Sequence, residues 1–374
     1  EIEKIKNCQT LEHKIIVHDK IDNWYSFEEI CNKSNMYFDR DIVTPTKSSD
    51  PMLMYFTSGS TGMPKMVERD NAYAFSHNIT QKFWQDLQSD DIHWTLTDTG
   101  WAKAAWGLLF PPLLAGCTII LYDGQGFDLE ILLKIIKKHK VTTFCAPPTI
   151  YRLIAQSDLS KAEFRSLRHC FSAGEPLNPE AMRSWKNATG CDVYDGYGQT
   201  ETINVIANFP GMPIKQGSMG KPCPGFDIEI IDNEANILEI DEIGNIGIKI
   251  TNPYPPGLFK GYYKDQIKTS EVFRNGWYFT GDTATKDKDG YIWFVGRADD
   301  IITSSGYRIS PFEIESTLLE HQHVVEAAVI AKKDYIRGEI VVAFIVLGKN
   351  GQGNEKLKSE IQEFVKNKTA PYKY

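Results

Sequence analysis

The sequence predicts an α/β fold: a helix-covered, mostly parallel sheet, then a β-rich subdomain, then a small α+β domain at the C-terminal end. Three observations predict it. Helix and strand patterns alternate from Phe127 to Asp195, turn-punctuated β segments run from Gly211 to Gly296, and beyond Arg297 come a helix, two strands and a second helix. The implied divisions are residues 1–50, 51–210, 211–298 and 299–374, with Asp299-Asp300 at the last boundary.

In chain order, Met52 to Phe56 is an apolar run of strand length. Ala104 to Tyr122 carries no charge and approaches the roughly 20 residues of a membrane span. Pro111-Pro112 and Gly116 break it, so it is read as a buried helix, a turn and a strand at Thr118 to Tyr122, without membrane insertion. Asp128 caps a helix with Leu129, Leu132, Leu133 and Ile136 on one face, and Val141 to Cys145 is a buried strand ended by Pro147-Pro148. A helix with Tyr151, Leu153 and Ile154 leads to a strand near His169 to Ser172. Asn178-Pro179-Glu180 then opens a helix that Gly190 closes before strand Cys191 to Tyr194. In the β-rich part, Phe226 to Asp232, Ile246 to Thr251 and Tyr291 to Val295 are strands, and Asp287-Lys288-Asp289-Gly290 is a tight turn rather than a calcium loop. Ser310-Pro311 opens helix Phe312 to Glu320, Val324 to Ala331 and Glu339 to Leu347 are strands, and Leu357 to Asn367 is an amphipathic helix.

Hydrophobic residues at 42% and charged residues at 24% of 374 describe an ordinary globular protein. A net charge of −8, from 41 basic and 49 acidic side chains, argues against nucleic acid as a partner, so any phosphate must be held locally by backbone N–H groups and a few cations. Seven cysteines without a CxxC argue against a disulfide framework and for a reducing, intracellular compartment. His321 and His323 lack zinc-spaced cysteines and read as a solvated surface pair.

Chemistry concentrates in loops. Thr57-Ser58-Gly59-Ser60-Thr61-Gly62-Met63-Pro64-Lys65 packs hydroxyls, glycines and a lysine behind a strand, a composition suited to oxyanions. It lacks the Gly-Lys-Ser/Thr ending of a Walker loop. Ala173-Gly174-Glu175-Pro176 and Gly196-Tyr197-Gly198-Gln199-Thr200-Glu201 follow predicted strands, where parallel sheets bind ligands.

With Tyr278-Phe279-Thr280-Gly281-Asp282 and Gly296-Arg297-Ala298-Asp299-Asp300, these segments in this order resemble the signature of the adenylate-forming superfamily of acyl-CoA synthetases, luciferases and peptide-synthetase adenylation domains. Asp98-Thr99-Gly100-Trp101, Gly306 to Glu315 and Ala370 to Tyr374 most resemble medium-chain acyl-CoA synthetases. The resemblance implies ATP, Mg²⁺ and coenzyme A as cofactors and a small-molecule carboxylic acid as partner; homo-oligomerisation stays open. It implies a cytoplasmic location, or the mitochondrial matrix in a eukaryote. It also implies that residues 1–50 are the remnant of an N-terminal subdomain. The C-terminal domain would be mobile and truncated, stopping at Tyr374 before the family's catalytic lysine, which Lys373 does not match. These residues alone are therefore expected to bind ATP weakly and adenylate slowly.

Carried onto this chain, the resemblance implies that Thr57, Ser58, Gly59, Ser60, Thr61, Gly62 and Lys65 hold the β- and γ-phosphates. Gly174, Glu175 and Pro176 would line the adenine, with Tyr197 on its face and Asp195 and Gly196 near its exocyclic amine. Thr200 would bond the α-phosphate, Glu201 would bind Mg²⁺, Asp282 the ribose hydroxyls and Arg297 the ribose or phosphate. Trp101 would border the acyl-adenylate, with Lys65, Trp101, Thr200 and Glu201 the catalytic set. Asp299 would be the hinge, Ser305-Gly306 the pantetheine entrance and Arg308 a coenzyme A phosphate contact. The implied reaction joins an acid to coenzyme A through an acyl-adenylate. An adenylation domain that loads a carrier protein, or a fragment acting only as a nucleotide-binding module, are the alternatives.

Overall fold

In the computed structural model, the described residues are 11–33, 44–57, 64–124, 128–155, 157, 163–175, 177–305, 307–348 and 353–369. The described residues up to Lys47 belong to a compact unit of their own, in which Ile15–Ile16 pairs in parallel with Tyr25–Ser26 ahead of helix Phe27–Lys33. Everything that positions the candidate site lies in the second unit, Ser48–Tyr374.

Its centre is a seven-stranded sheet in the order Lys221–Pro222, Asn204–Ala207, Val193–Gly198, His169–Ala173, Thr143–Cys145, Ile92–Thr95, Thr118–Ile119. The last five run parallel, and the first two add antiparallel at the Val193–Gly198 edge. The predicted mostly parallel sheet is observed. Strands Thr143–Cys145 and His169–Ala173 are buried along their whole length, as parallel strands covered on both faces must be.

Successive residues on these strands serve opposite layers. Phe144 and Cys170 join Leu132, Ile136, Tyr151 and Trp185 beneath the covering helices, whereas Cys145 and Phe171 face Trp84, Val205 and Ile206 in the other layer. The covering helices start where the caps predict. Asp128 Oδ1 accepts from Ile131 N at 3.1 Å to open Leu129–His139, and Asn178 Oδ1 accepts from Glu180 N at 2.7 Å to open Pro179–Thr189. Gly190, at φ +79°, ends the second helix. Each large side chain buried from them, Trp185 foremost, contributes about 1.5–3 kcal/mol.

The uncharged run departs from expectation. Pro111-Pro112 does not break the helical path: turns at Ala102–Ala104, a π-helical turn at Ala105–Leu109 and Phe110–Ala115 follow one another, and the prolines occupy the opening of the last, where their missing N–H groups cost nothing. Gly116, at φ +73°, is the actual stop, and the strand beyond is only Thr118–Ile119. Among the described residues no helix is long and apolar enough to cross a membrane.

The β-rich part is a five-stranded antiparallel sheet. Ile228–Ile231, Gly244–Lys249, Trp277–Lys286 and Phe273–Arg274 follow in order, and Ile292–Arg297 also pairs with Trp277–Lys286. Asp287 to Gly290 is the expected tight turn, tied by Gly290 N to Asp287 O at 2.9 Å and clamped by Lys215 Nζ on Asp287 and Asp289 at 2.6 and 2.7 Å. The last part is a four-stranded antiparallel sheet of Tyr307–Ile309, Ile302–Ser304, Gly338–Leu347 and Val324–Asp334, packed on helices Pro311–Leu319 and Glu355–Lys368 around Ile302, Ile314, Leu318 and Ile361. The histidine pair there is not simply solvated: His321 is buried, edge-on to Phe364, with Nε2 3.5 Å from a Glu360 carboxylate oxygen.

Candidate active site

Three elements converge on Asp282. The pairing of Trp277–Lys286 with Ile292–Arg297 sets Asp282 opposite Arg297, whose Nε lies 3.4 Å from Oδ1. From the central sheet, the Tyr197 hydroxyl donates to Asp282 Oδ2 at 2.5 Å and Gln199 Nε2 donates to the same oxygen at 2.6 Å. Gln199 is itself fixed, donating to Thr280 O at 2.9 Å and accepting from the Tyr278 hydroxyl at 2.9 Å. Burial pushes the Asp282 carboxyl above its ordinary range, and the donors Tyr197 and Gln199 and the Arg297 charge pull it back.

Tyr197 and Gln199 reach this far because of a local departure from expectation. The segment read as a loop after Tyr194 continues as strand through Gly196-Tyr197-Gly198, since Asn204–Ala207 returns antiparallel and pairs with it. Gly196 is required for packing: a Cβ there would lie 2.5 Å from the Trp84 ring. Gly174 turns away from its strand at φ +103°, a conformation that favours glycine.

Opposite Asp282, Tyr262 links the lysine of the hydroxyl-rich segment to the acidic residue of the strand-edge turn. Its hydroxyl donates to Glu201 Oε1 at 2.8 Å and accepts from Lys65 Nζ at 3.4 Å. Beneath them the buried Arg69 donates to the carbonyls of Thr200, at 3.3 Å, and Gly257, with its guanidinium 4.0 Å from the Tyr73 ring centroid. The Thr200-Glu201 turn is thereby fastened to strand Lys65–Asp70.

These groups line a cavity of about 540 Å³ that also takes in Thr57, Gly174, Glu175, Asp195, Gly196 and Asp299. Asp195 is buried, and burial pushes its carboxyl up to about 8 even though Gly196 N donates to Oδ1 at 2.9 Å. A second cavity of about 500 Å³ adjoins the first, sharing Gly174, Glu175, Gly198, Gln199 and Thr200. Its further walls include Trp101, Trp106, Ile203 and Lys103, and Trp101 stands at its rim with 71% of its surface exposed.

The structure thus gathers Thr57, Lys65, Gly174, Glu175, Asp195, Gly196, Tyr197, Thr200, Glu201, Asp282, Arg297 and Asp299 around one cavity and Trp101 around its neighbour. It does not bring Ser305 or Arg308 to either. Ser305, at φ +50°, turns the hairpin of the small domain, and Arg308 faces a separate cavity with Asp232, Glu234 and Glu242. Ser58, Gly59, Ser60, Thr61, Gly62, Pro176 and Gly306 lie outside the described residues. Sequence reasoning missed Arg69, Lys103, Gln199 as a ligand of Asp282, and Tyr262. Gln199 left a signal inside the Gly196-to-Glu201 segment, and Lys103 left one as the last charge before the uncharged run.

Residues 1–263 match the family model for the AMP-binding enzyme, and residues 313–374 match the AMP-binding enzyme C-terminal domain. The chain is 45% identical over 372 residues to acyl-coenzyme A synthetase ACSM3, mitochondrial, of Rattus norvegicus, covering 98% of this chain and 63% of that protein. It is 44% identical over 374 residues to acyl-coenzyme A synthetase ACSM4, mitochondrial, of Mus musculus, covering 99% and 64%. It therefore spans less than two thirds of these relatives. Among solved structures, the anthranilate CoA ligase AuaEII in complex with anthranoyl-AMP superposes with a TM-score of 0.89 at 30% identity over 98% of this chain and 69% of that one. A benzoate CoA ligase from Burkholderia xenovorans LB400 superposes at 0.83 with 26% identity, over 97% and 70%.

Proposed function

Since the chain belongs to the AMP-binding enzyme family, we propose that its parent protein is an ATP-dependent acyl-CoA synthetase that joins a medium-chain carboxylic acid to coenzyme A. The observation that carries the reading is the pair of adjoining cavities. One is polar, with Lys65, Glu201, Asp282 and Arg297; the other is walled by Trp101, Trp106 and Ile203; and both are bounded by Thr200 and Gly174. A nucleotide in the first and an acid in the second would meet at Thr200, which is the geometry a bimolecular displacement needs.

In the first step a carboxylate oxygen attacks the α-phosphorus, the bond to the bridging oxygen breaks, and pyrophosphate leaves with its electron pair. In the second, the coenzyme A sulfur attacks the acyl carbon, the thiol proton goes to solvent, and AMP leaves. Asp282, backed by Tyr197, Gln199 and Arg297, presents oxygens to the ribose hydroxyls. Lys65 neutralises departing phosphate charge. Thr200, fastened by Arg69, donates toward the α-phosphate.

The donor set fits Mg²⁺: Glu201 lines the polar cavity, its Oε1 engaged by one neutral donor, and a hard carboxylate complements phosphate oxygens and water. When bound, the ion would offset charge on the leaving pyrophosphate. The relatives' names, which read mitochondrial, support a mitochondrial location if the source is eukaryotic.

The test is AMP release by the full-length protein with ATP, hexanoate to decanoate, and either coenzyme A or a phosphopantetheinyl carrier. Coenzyme A-dependent release that Glu201→Gln abolishes supports the synthetase. Release only with the carrier, or undiminished turnover by Glu201→Gln, would overturn it.

A further inference from the structure

Lys103 sits in the helical turn Ala102–Ala104, two residues past Trp101, and lines the second cavity. Lysines in such positions ordinarily extend their ammonium to water. This one does not: Nζ is buried and, among the described residues, has no hydrogen-bond partner. Its nearest compensation is the Trp106 ring, with the centroid 5.6 Å away, at the outer limit of a useful cation–π contact. Burial pushes the ammonium below the usual lysine range, against the pull of Cys145 and Glu175.

The two carboxylates on the same cavity wall are committed elsewhere. Asp98 Oδ1 accepts from Gly100 N at 2.7 Å. Glu175 Oε2 accepts from the Thr149 hydroxyl at 3.0 Å and lies 3.9 Å from Arg152. The protein thus places a donor with three N–H bonds in an otherwise largely apolar chamber and, among the described residues, supplies no acceptor for it. An unpaired buried ammonium is costly, and a ligand oxygen in the chamber would remove that cost.

We propose that Lys103 reads a second oxygen acceptor on the acid substrate, so that the chamber selects carboxylic acids carrying a further carboxylate or oxo group over plain alkyl acids. The inference rests on the synthetase reading for its substrate and deepens it. The reacting carboxylate belongs at the shared wall beside Thr200 and Gly174, while Lys103 engages a group further along the acid. Selectivity arises because an alkyl chain in the same place leaves the ammonium unpaired, whereas a carboxylate or ketone satisfies it.

The experiment measures kcat/KM of the full-length protein for hexanoate, adipate and 5-oxohexanoate, and for the eight-carbon counterparts, in wild type, Lys103→Met and Lys103→Leu. Calorimetric binding of the same acids runs in parallel, with thermal melting as the check on folding. The oxygenated-to-plain ratio is expected to fall at least about tenfold in both variants, the worth of one charge-assisted hydrogen bond. A ratio unchanged in both overturns the proposal, as does an equal loss for every acid, which would put Lys103 on the reacting carboxylate instead. If wild type turns over no acid, the synthetase reading fails, and the calorimetric ratio still decides the role of Lys103.

Discussion

Replacing Asp282 by Asn keeps the shape of the side chain and removes its charge. Oδ2 accepts from both the Tyr197 hydroxyl and Gln199 Nε2, while Oδ1 faces Arg297 Nε at 3.4 Å. An amide has one acceptor and one donor end, so whichever way it turns, its NH₂ meets a donor. A hydrogen bond to a charged group contributes about 1.5–3 kcal/mol, so losing one on the ribose weakens ATP binding roughly ten- to hundredfold. The informative measurement is a cycle: calorimetric affinities of the full-length protein for ATP and 2′-deoxy-ATP or 3′-deoxy-ATP, in wild type and Asp282→Asn. Wild type should discriminate against at least one deoxy nucleotide by about tenfold, and the variant should lose most of that discrimination. If the variant weakens ATP and both deoxy nucleotides equally, Asp282 does not read the ribose and its network is structural.

Three further outcomes follow from the same geometry. Asp195 has a folded-state pKa of about 8 against an ordinary 3.8. The unfolded chain therefore gives up its proton first, and native stability falls as pH rises from about 4 to about 8, by at most about 6 kcal/mol. Asp195→Asn should remove that slope between urea midpoints at pH 5 and pH 8, and an unchanged slope would contradict the burial argument. Arg69→Met strips donors from the Thr200 and Gly257 carbonyls and should destabilise the protein by about 3 kcal/mol in denaturant titration, with a loss under 1 kcal/mol counting against it. Asn178→Ala removes the helix cap and the 3.2 Å bond from Nδ2 to Ser316 O, which ties the covering helix to the small domain. It should cost about 1 kcal/mol and raise amide exchange in Pro311–Leu319; unaltered exchange there would show that the tie carries nothing.

The cap residues and alternating patterns made the layered architecture legible in advance. Asp128, Asn178 and Ser310 each accept from a backbone N–H at the helix start they announce. These are local interactions, written within four residues of chain. The prolines at 111 and 112 misled because proline excludes a helix interior but not a helix start, and only the preceding π-helical turn decides which applies. The long strand Trp277–Lys286 is visible only as a motif, since it is buried almost continuously from Trp277 to Ala284 and so shows no alternation of core and solvent faces.

The sequence by itself determined which chemical groups are present and their order: hydroxyls and lysine behind a strand, an acidic residue after Thr200, a carboxylate after Gly281, and a basic residue fifteen positions beyond that carboxylate. Tertiary structure alone decided their partnerships. Tyr262 joins Lys65 to Glu201, Gln199 serves Asp282, and Arg69 holds Thr200, each across separations of 61 to 197 residues. Such pairs depend on sheet register and domain packing, which no local pattern encodes. Lys103 completes the contrast: its place near Trp101 is a fact of sequence, but that its ammonium ends buried in a chamber, without a hydrogen-bond partner among the described residues, is a fact of packing.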